Sequence, residues 1–316
     1  MADDTRAAEP SSDEQDNDAA EPLSAGTLQS HVPAKRKLTI GNAPLTLVVG
    51  SVLVGAVVVL ALVSFVWTPF DPDLVNVEDR LLPPFTDGYL FGTDRLGRDV
   101  LTQIMAGARN SLFVSFVATV GSLIPGVLLG LMAAGSGERW YTFWTRVADI
   151  GIALPGILIA LVLAVIIGPG NTAAIVAILT WFTPIVIRIT VGPAKQILAR
   201  DFIEAAYAYG RTRRYILLRH ILPNISPLLI VQTSVMFAAA ILIEASLAFL
   251  GVGAQRPTPS WGRLLNEAQP LLDIAPTLMV FPGLAIVIAV LGFNLLGDGL
   301  RATLDPQQAS KAGGTF

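Results

Sequence analysis

Four lysines occur in the 316 residues, Lys35, Lys37, Lys195 and Lys311, and they follow Ala34, Arg36, Ala194 and Ser310. A phosphate-cradling loop requires a Gly–Lys pair, so the chain has no Walker A site for ATP. Metal chemistry is equally thin. Cysteine is absent and His31 and His220 are the two histidines, which excludes disulfides, iron–sulfur clusters and thiolate zinc sites and argues against a histidine metal centre. His-Glu-x-x-His and Gly-x-Ser-x-Gly are absent too, removing the commonest zinc-protease and serine-hydrolase signatures. None of these signatures therefore supplies a catalytic group, a metal site or a cofactor site.

Polar groups set inside apolar runs remain to be explained: Asp149, Glu244, Asn294 and Asp298. Glu244 sits in Ile241–Gly251, where a carboxylate at a bilayer centre costs roughly 2.5–3.5 kcal/mol. It lies six residues before the end of its apolar stretch at 250, about 9 Å at ~1.5 Å per residue. It is expected either to pair helices or to line a substrate path, with Asn294 and Asp298 as companions in either role. An intramembrane hydrolase using Glu244 and Asp298 is a more remote alternative.

What must position these groups is a membrane domain. Hydrophobic residues make up 53% of the chain and charged residues 14%, against ~25% charged in soluble proteins. The net charge of -3 gives no reason to expect a nucleic-acid partner. Six apolar stretches approach the ~20 residues of a spanning helix, at 45–67, 111–134, 147–167, 173–191, 228–250 and 276–298. Asn171 and Thr172 are expected to cap the fourth, Ser226 with Pro227 to open the fifth and Pro276 the sixth. Gly126-x-x-x-Gly130 permits close helix packing. The fold expected is all-α, with six transmembrane helices.

Lysine and arginine orient it. With the N-terminus inside, 15 basic residues fall in inner segments and 6 in outer ones, a positive-inside bias that puts both termini in the cytoplasm. Residues 1–38, with eight acids and one arginine in the first 21, read as a disordered acidic tail. The first apolar run is too long for the core of a secretory leader and reads as a retained span. The organisation expected is a tail at 1–38, a first helix and outer loop at 39–110, a core membrane domain at 111–302 and a C-terminal tail at 303–316. No internal repeat is evident.

The inner connection, 192–226, carries a local helix code. Asp201 is placed to cap a short helix, Glu204 to complete a capping box and Gly210 to end it in a left-handed turn. A second helix is expected from Thr212 to Pro223, ringed by Arg211, Arg213, Arg214 and Arg219. Physical chemistry alone leaves two readings open: a hairpin resting on anionic lipid, or a docking surface whose small Ala205 and Ala206 admit a partner.

Glu204-Ala205-Ala206, Gly210 and Leu222-Pro223 resemble the EAA motif of bacterial ATP-binding-cassette importer permeases. His220 stands where many members carry isoleucine, and it resembles the peptide-permease branch. Phe91–Val100, Glu244–Gly251 and Phe293–Arg301 followed by Leu304-Asp305-Pro306 are similar to segments of the dipeptide and oligopeptide permease subunits of the C type. Ala302 departs from that last pattern, where an acid is common. These segments span most of the chain outside the tail.

The resemblance implies a type I importer permease in a bacterial cytoplasmic membrane, not itself an enzyme, carrying short peptides. It implies pairing with a homologous permease and delivery by an extracytoplasmic binding protein. Two cytoplasmic ATPases would hold the ATP and magnesium and grip Glu204, Ala205, Ala206, Gly210, Leu222 and Pro223. Asp94, Arg95, Arg98 and Asp99 would then contact the binding protein or partner subunit, unless they pair locally in a solvated turn. Glutathione and nickel chelates are alternative cargoes. A self-sufficient secondary transporter or channel is the competing class, and the charged midplane residues it would use are absent.

Overall fold

The structure, a computed structural model, describes residues 44–86 and 88–304. The expected acidic tail, Asp87, Asp305, Pro306 and the rest of the C-terminal tail lie outside the described residues. Ten α-helices carry the fold among the described residues: α1 (Leu45–Val66), α2 (Val100–Ala134), α3 (Glu138–Ala153), α4 (Gly156–Ile167), α5 (Asn171–Leu198), α6 (Asp201–Ala208), α7 (Arg213–Ile216), α8 (Leu222–Phe249), α9 (Trp261–Ala268) and α10 (Thr277–Leu304). No strand forms among them; two isolated β-bridges, Thr86 to Tyr89 and Thr93 to Asp99, shape the loop before α2.

Five of these segments are long and apolar enough to cross a membrane, and the pair α3–α4 makes a sixth if it counts as one broken span. Contacts at the helix ends show that it does. At one end, Gly299 of α10 packs on Leu47 of α1, and Gly135 after α2 packs on Leu217 before α8. At the other, Arg98 meets Glu267 of α9, Phe70 N–H donates to Thr102 Oγ1 at 3.2 Å and Gly170 N–H to Val252 O at 3.1 Å. Since α2 ends at the first end and α5 starts at the second, α3 and α4 together must travel between them. The chain therefore runs six times between the two ends, and Leu45 and Leu304 both lie at the end that carries α6.

Several boundaries differ from expectation for identifiable reasons. The second span begins at Val100 rather than 111, because Asp99 Oδ2 accepts from Thr102 N–H at 2.8 Å and caps the helix eleven residues earlier. The third, expected unbroken over 147–167, bends by 85° between α3 and α4. Pro155 has no N–H to give and drives Leu154 into extended backbone. Asn171 does not cap α5: Gly170 holds the cap position, and the Asn171 amide donates to Asn110 Oδ1 at 2.6 Å instead. Ser226 and Pro227 open nothing and Pro223 ends nothing. A π-turn at Leu217–Ile221 absorbs the proline, and helix runs without a gap from Arg213 to Phe249. Ser226 Oγ donates to Pro223 O at 2.9 Å, as a hydroxyl within a helix does. The carbonyl of Pro276 does open α10, accepting from Met279 and Val280.

The core lies where α2, α5 and α8 meet. At Gly126 and Gly130 α2 comes so close to α5 that a methyl group would collide with the side chains of Val186 and Thr190. Much of the outward surface of α1, α4 and α10 is exposed Val, Leu and Ile, as lipid requires.

Candidate functional site

The α6 end is built from one buried anchor and an exposed face. Arg200 takes the cap position of α6 in extended backbone, and Asp201 is the first helical residue with no side-chain capping bond, so the expected capping box is not formed. That register places Ile203 at 0% exposure in one core cluster with Ile216, Ile221 and Leu131. Asp201 and Glu204 then lie in the first turn, where the helix dipole favours negative charge. Glu204 and Ala205 are exposed and Ala206 half-buried. Gly210 closes the helix at φ +74°, with Gly210 N–H donating to Tyr207 O at 2.9 Å and Arg211 N–H to Ala206 O at 3.1 Å, a Schellman turn.

Beyond it, Thr212 Oγ1 accepts from Tyr215 N–H and starts α7. Arg211, Arg213, Arg214 and Arg219 are exposed and form no ion pair among the described residues. His220 packs edge-on between Phe202 and Tyr215, tying α6 to the π-turn. Leu222 is half-buried and Pro223 exposed. The structure thus brings Glu204, Ala205, Gly210 and Pro223 to one end and leaves a shaped, basic, partly apolar surface there.

The α9 end differs in kind. Glu267 gathers three guanidiniums, from Arg98 at 2.9 Å, Arg256 at 3.0 Å and Arg263 at 2.8 Å, while Arg98 also grips Asp94 at 2.7 Å. Burial pushes the Glu267 carboxyl up, but the hydrogen bonds from Arg263 and the charges of Arg263, Arg98 and Arg256 outweigh it and hold the group below the ordinary carboxylate value. Of the four residues expected to make outside contacts, Asp94 and Arg98 are joined to this cluster and Asp99 caps α2. Arg95 alone of the four is exposed. The loop is no solvated turn: Thr93, Gly97, Arg98 and Asp99 are buried, and Phe91 stacks on Phe281 with centroids 4.2 Å apart.

Glu244 is 1% exposed, and neither carboxylate oxygen has a hydrogen-bond partner among the described residues. The hydroxyls of Ser111 and Ser260 flank it. Asn294 is half-buried and Asp298 exposed. Gly297, beside Asp298, packs at the level of Ser234, ten residues from Glu244 along α8 and so about 15 Å away at ~1.5 Å per residue. The structure does not bring Glu244 and Asp298 together, which removes the geometry of a carboxylate-pair hydrolase.

Between α8, α9 and α10 lies an open apolar groove of about 630 Å³, lined by Leu242, Ser246, Phe249, Leu265, Met279 and Ile286. Sequence reasoning missed α9, Trp261 and the Glu267 cluster. Two local signals were present, Ser260 ahead of Trp261 as a cap and Arg263 with Glu267 at i,i+4 spacing.

Residues 126–310 match the family described as binding-protein-dependent transport system inner membrane component. A dipeptide transport system permease protein of Alkalihalophilus pseudofirmus is 40% identical over 264 residues, covering 83% of this chain and 86% of that protein. A glutathione transport system permease protein of Escherichia coli is 38% identical, covering 79% and 82%. Among solved structures, the MetNI methionine ABC transporter in an inward-facing conformation aligns with a TM-score of 0.55 at 21% identity, over 64% of this chain and 96% of that one, a likeness of fold.

Proposed function

The chain belongs to the family of binding-protein-dependent transport-system inner-membrane components, and from that premise we propose that it is a permease subunit of an ATP-driven importer of short peptides. The observation that carries this reading is α6: an exposed Glu204–Ala205 face, fixed from beneath by Ile203 and stopped by Gly210, on a chain with no nucleotide loop of its own. Two cytoplasmic ATPases hold ATP and magnesium, and one of them receives α6. The charge bias of the sequence, 15 basic residues in the expected inner segments against 6 in the outer ones, supports a cytoplasmic α6 end. A homologous permease completes the path, and an extracytoplasmic binding protein delivers peptide to the α9 end.

The mechanism is mechanical. Closure of the ATPases on nucleotide moves α6, and because Ile203, Ile216 and Ile221 share one buried cluster, α6 and the root of α8 move as a unit. The permeases then rock between outward-open and inward-open states, and this chain carries out no bond chemistry.

The test is uptake of a radiolabelled dipeptide by proteoliposomes holding the complete assembly with its binding protein. Uptake is expected with ATP and with no ion gradient. Uptake by this chain alone, driven by a gradient without ATP, would establish the secondary-transporter class instead. Because one relative is named for glutathione, itself a tripeptide, competition by unlabelled glutathione separates that cargo from dipeptides.

A further inference from the structure

Along the outer part of α8, Leu242, Ser246 and Phe249 line the groove, Ala245 borders both the groove and the core, and Ile241, Glu244 and Ala248 are buried on the opposite side. Glu244 therefore stands behind the wall of the groove and not in it. What it faces is the start of α9: Gly262 lies so close that a methyl group there would collide with the backbone of Ala245. Trp261 N–H donates to Ser111 Oγ at 3.3 Å, Arg263 N–H to Ser260 Oγ at 3.3 Å, and the Trp261 indole to Ile104 O at 3.1 Å.

Each of those serine oxygens thus accepts a backbone N–H, and each retains a hydroxyl proton with no acceptor among the described residues. Glu244 has the complementary deficit: two buried acceptors and no donor. A buried acid so placed is costly unless its acceptors are used.

We propose that Glu244 is a positioning residue that, by accepting from Ser111 and Ser260, holds the first turn of α9 against α2 and α8 and so fixes Leu265 in the wall of the groove. The bearing on translocation rests on the transport reading above; the positioning itself does not. Glu244 supports the wall of the groove from behind and does not line it.

The chain has no cysteine, so a single introduced thiol is unique. Ala108, fully buried in the cluster that contains Trp261, Ile241 and Ala245, is the reporter. In Ala108→Cys protein, maleimide labelling is expected to quicken on the order of tenfold when Glu244→Met removes the acceptors at nearly constant volume, and to stay within about threefold for Glu244→Gln, which keeps one acceptor. Ser111→Ala combined with Ser260→Ala, which leaves Glu244 in place, is expected to quicken labelling as Glu244→Met does, and it serves should the Met variant fail to insert. Native labelling in the Met or the double-serine variant, or equal labelling of Met and Gln, overturns the proposal. Labelling needs neither ATP nor partners. If the variants differ as expected while the native assembly imports no peptide, the transport reading fails and the positioning role stands.

Discussion

At the α9 end, Arg98, Arg256 and Arg263 converge on one carboxylate, and the Arg98 and Arg263 side chains are only 9% and 8% exposed. At the α6 end, Arg211, Arg213 and Arg214 are exposed and meet no carboxylate among the described residues. Guanidiniums at both ends, then, but with opposite consequences. Charge enclosed within the chain fixes the position of a loop and a helix, whereas charge left outside changes the fold little and is free for another surface. The comparison also separates what each end offers a partner: the α9 end a preset shape, the α6 end an unsatisfied one.

The sharpest way to break this contrast is Glu267→Ala, which leaves two nearly buried arginines without their shared partner. A loss of about 3–5 kcal/mol is expected, read as a lower melting midpoint in detergent and faster proteolysis of the loop before α2. The same group gives a pH test. Its carboxyl lies below the ordinary value of 4.5, so its stabilisation is complete above 4.5 and is lost as pH falls through the depressed value. Acid melting of the native chain should therefore show a step in that range that Glu267→Gln lacks.

At the other end, Gly210→Val forces a branched side chain into φ +74° and should cost about 1–3 kcal/mol locally. Peptide uptake should fall severalfold more than ATP hydrolysis by the assembled complex, with the chain still in the membrane. Normal uptake by this variant would erase the distinction between the ends.

Smaller still, Glu204→Ala removes an exposed group that forms no ion pair among the described residues. Melting should stay within about 0.5 kcal/mol of native while retention of the ATPase on a column drops. Arg256→Ala is the control within the cluster. Its side chain is 50% exposed, and its loss should cost under about 1 kcal/mol, far less than the loss of Glu267.

The sequence made the membrane character and the two ends legible because both rest on local rules. Apolar length marks a span, and Gly210 with the acids of the first turn marks a short helix. Prolines were harder to read. Pro155 breaks a span while Pro223 sits in a continuous helix behind a π-turn whose backbone pairing no side chain announces, and Pro125, Pro184 and Pro227 lie inside helices too. Capping was misplaced at Asp201 and Asn171 for one shared reason. Tertiary contacts, the burial of Ile203 and the Asn110 amide, set the helix register and outweighed a cap hydrogen bond. The Glu267 cluster joins residues 169 positions apart in sequence, and only the folded chain brings Arg98 to it.

The unbroken run from Arg213 to Phe249 is 37 residues, about 55 Å at ~1.5 Å per residue, enough to reach from one aqueous phase to the other. A rod of that length behaves like a tiller: its two ends cannot swing independently. In the proposed transport cycle, tilt at the arginine-rich root would become lateral travel at Leu242 and Phe249, with the π-turn and Pro227 as the points along the shaft where part of that stroke could be absorbed.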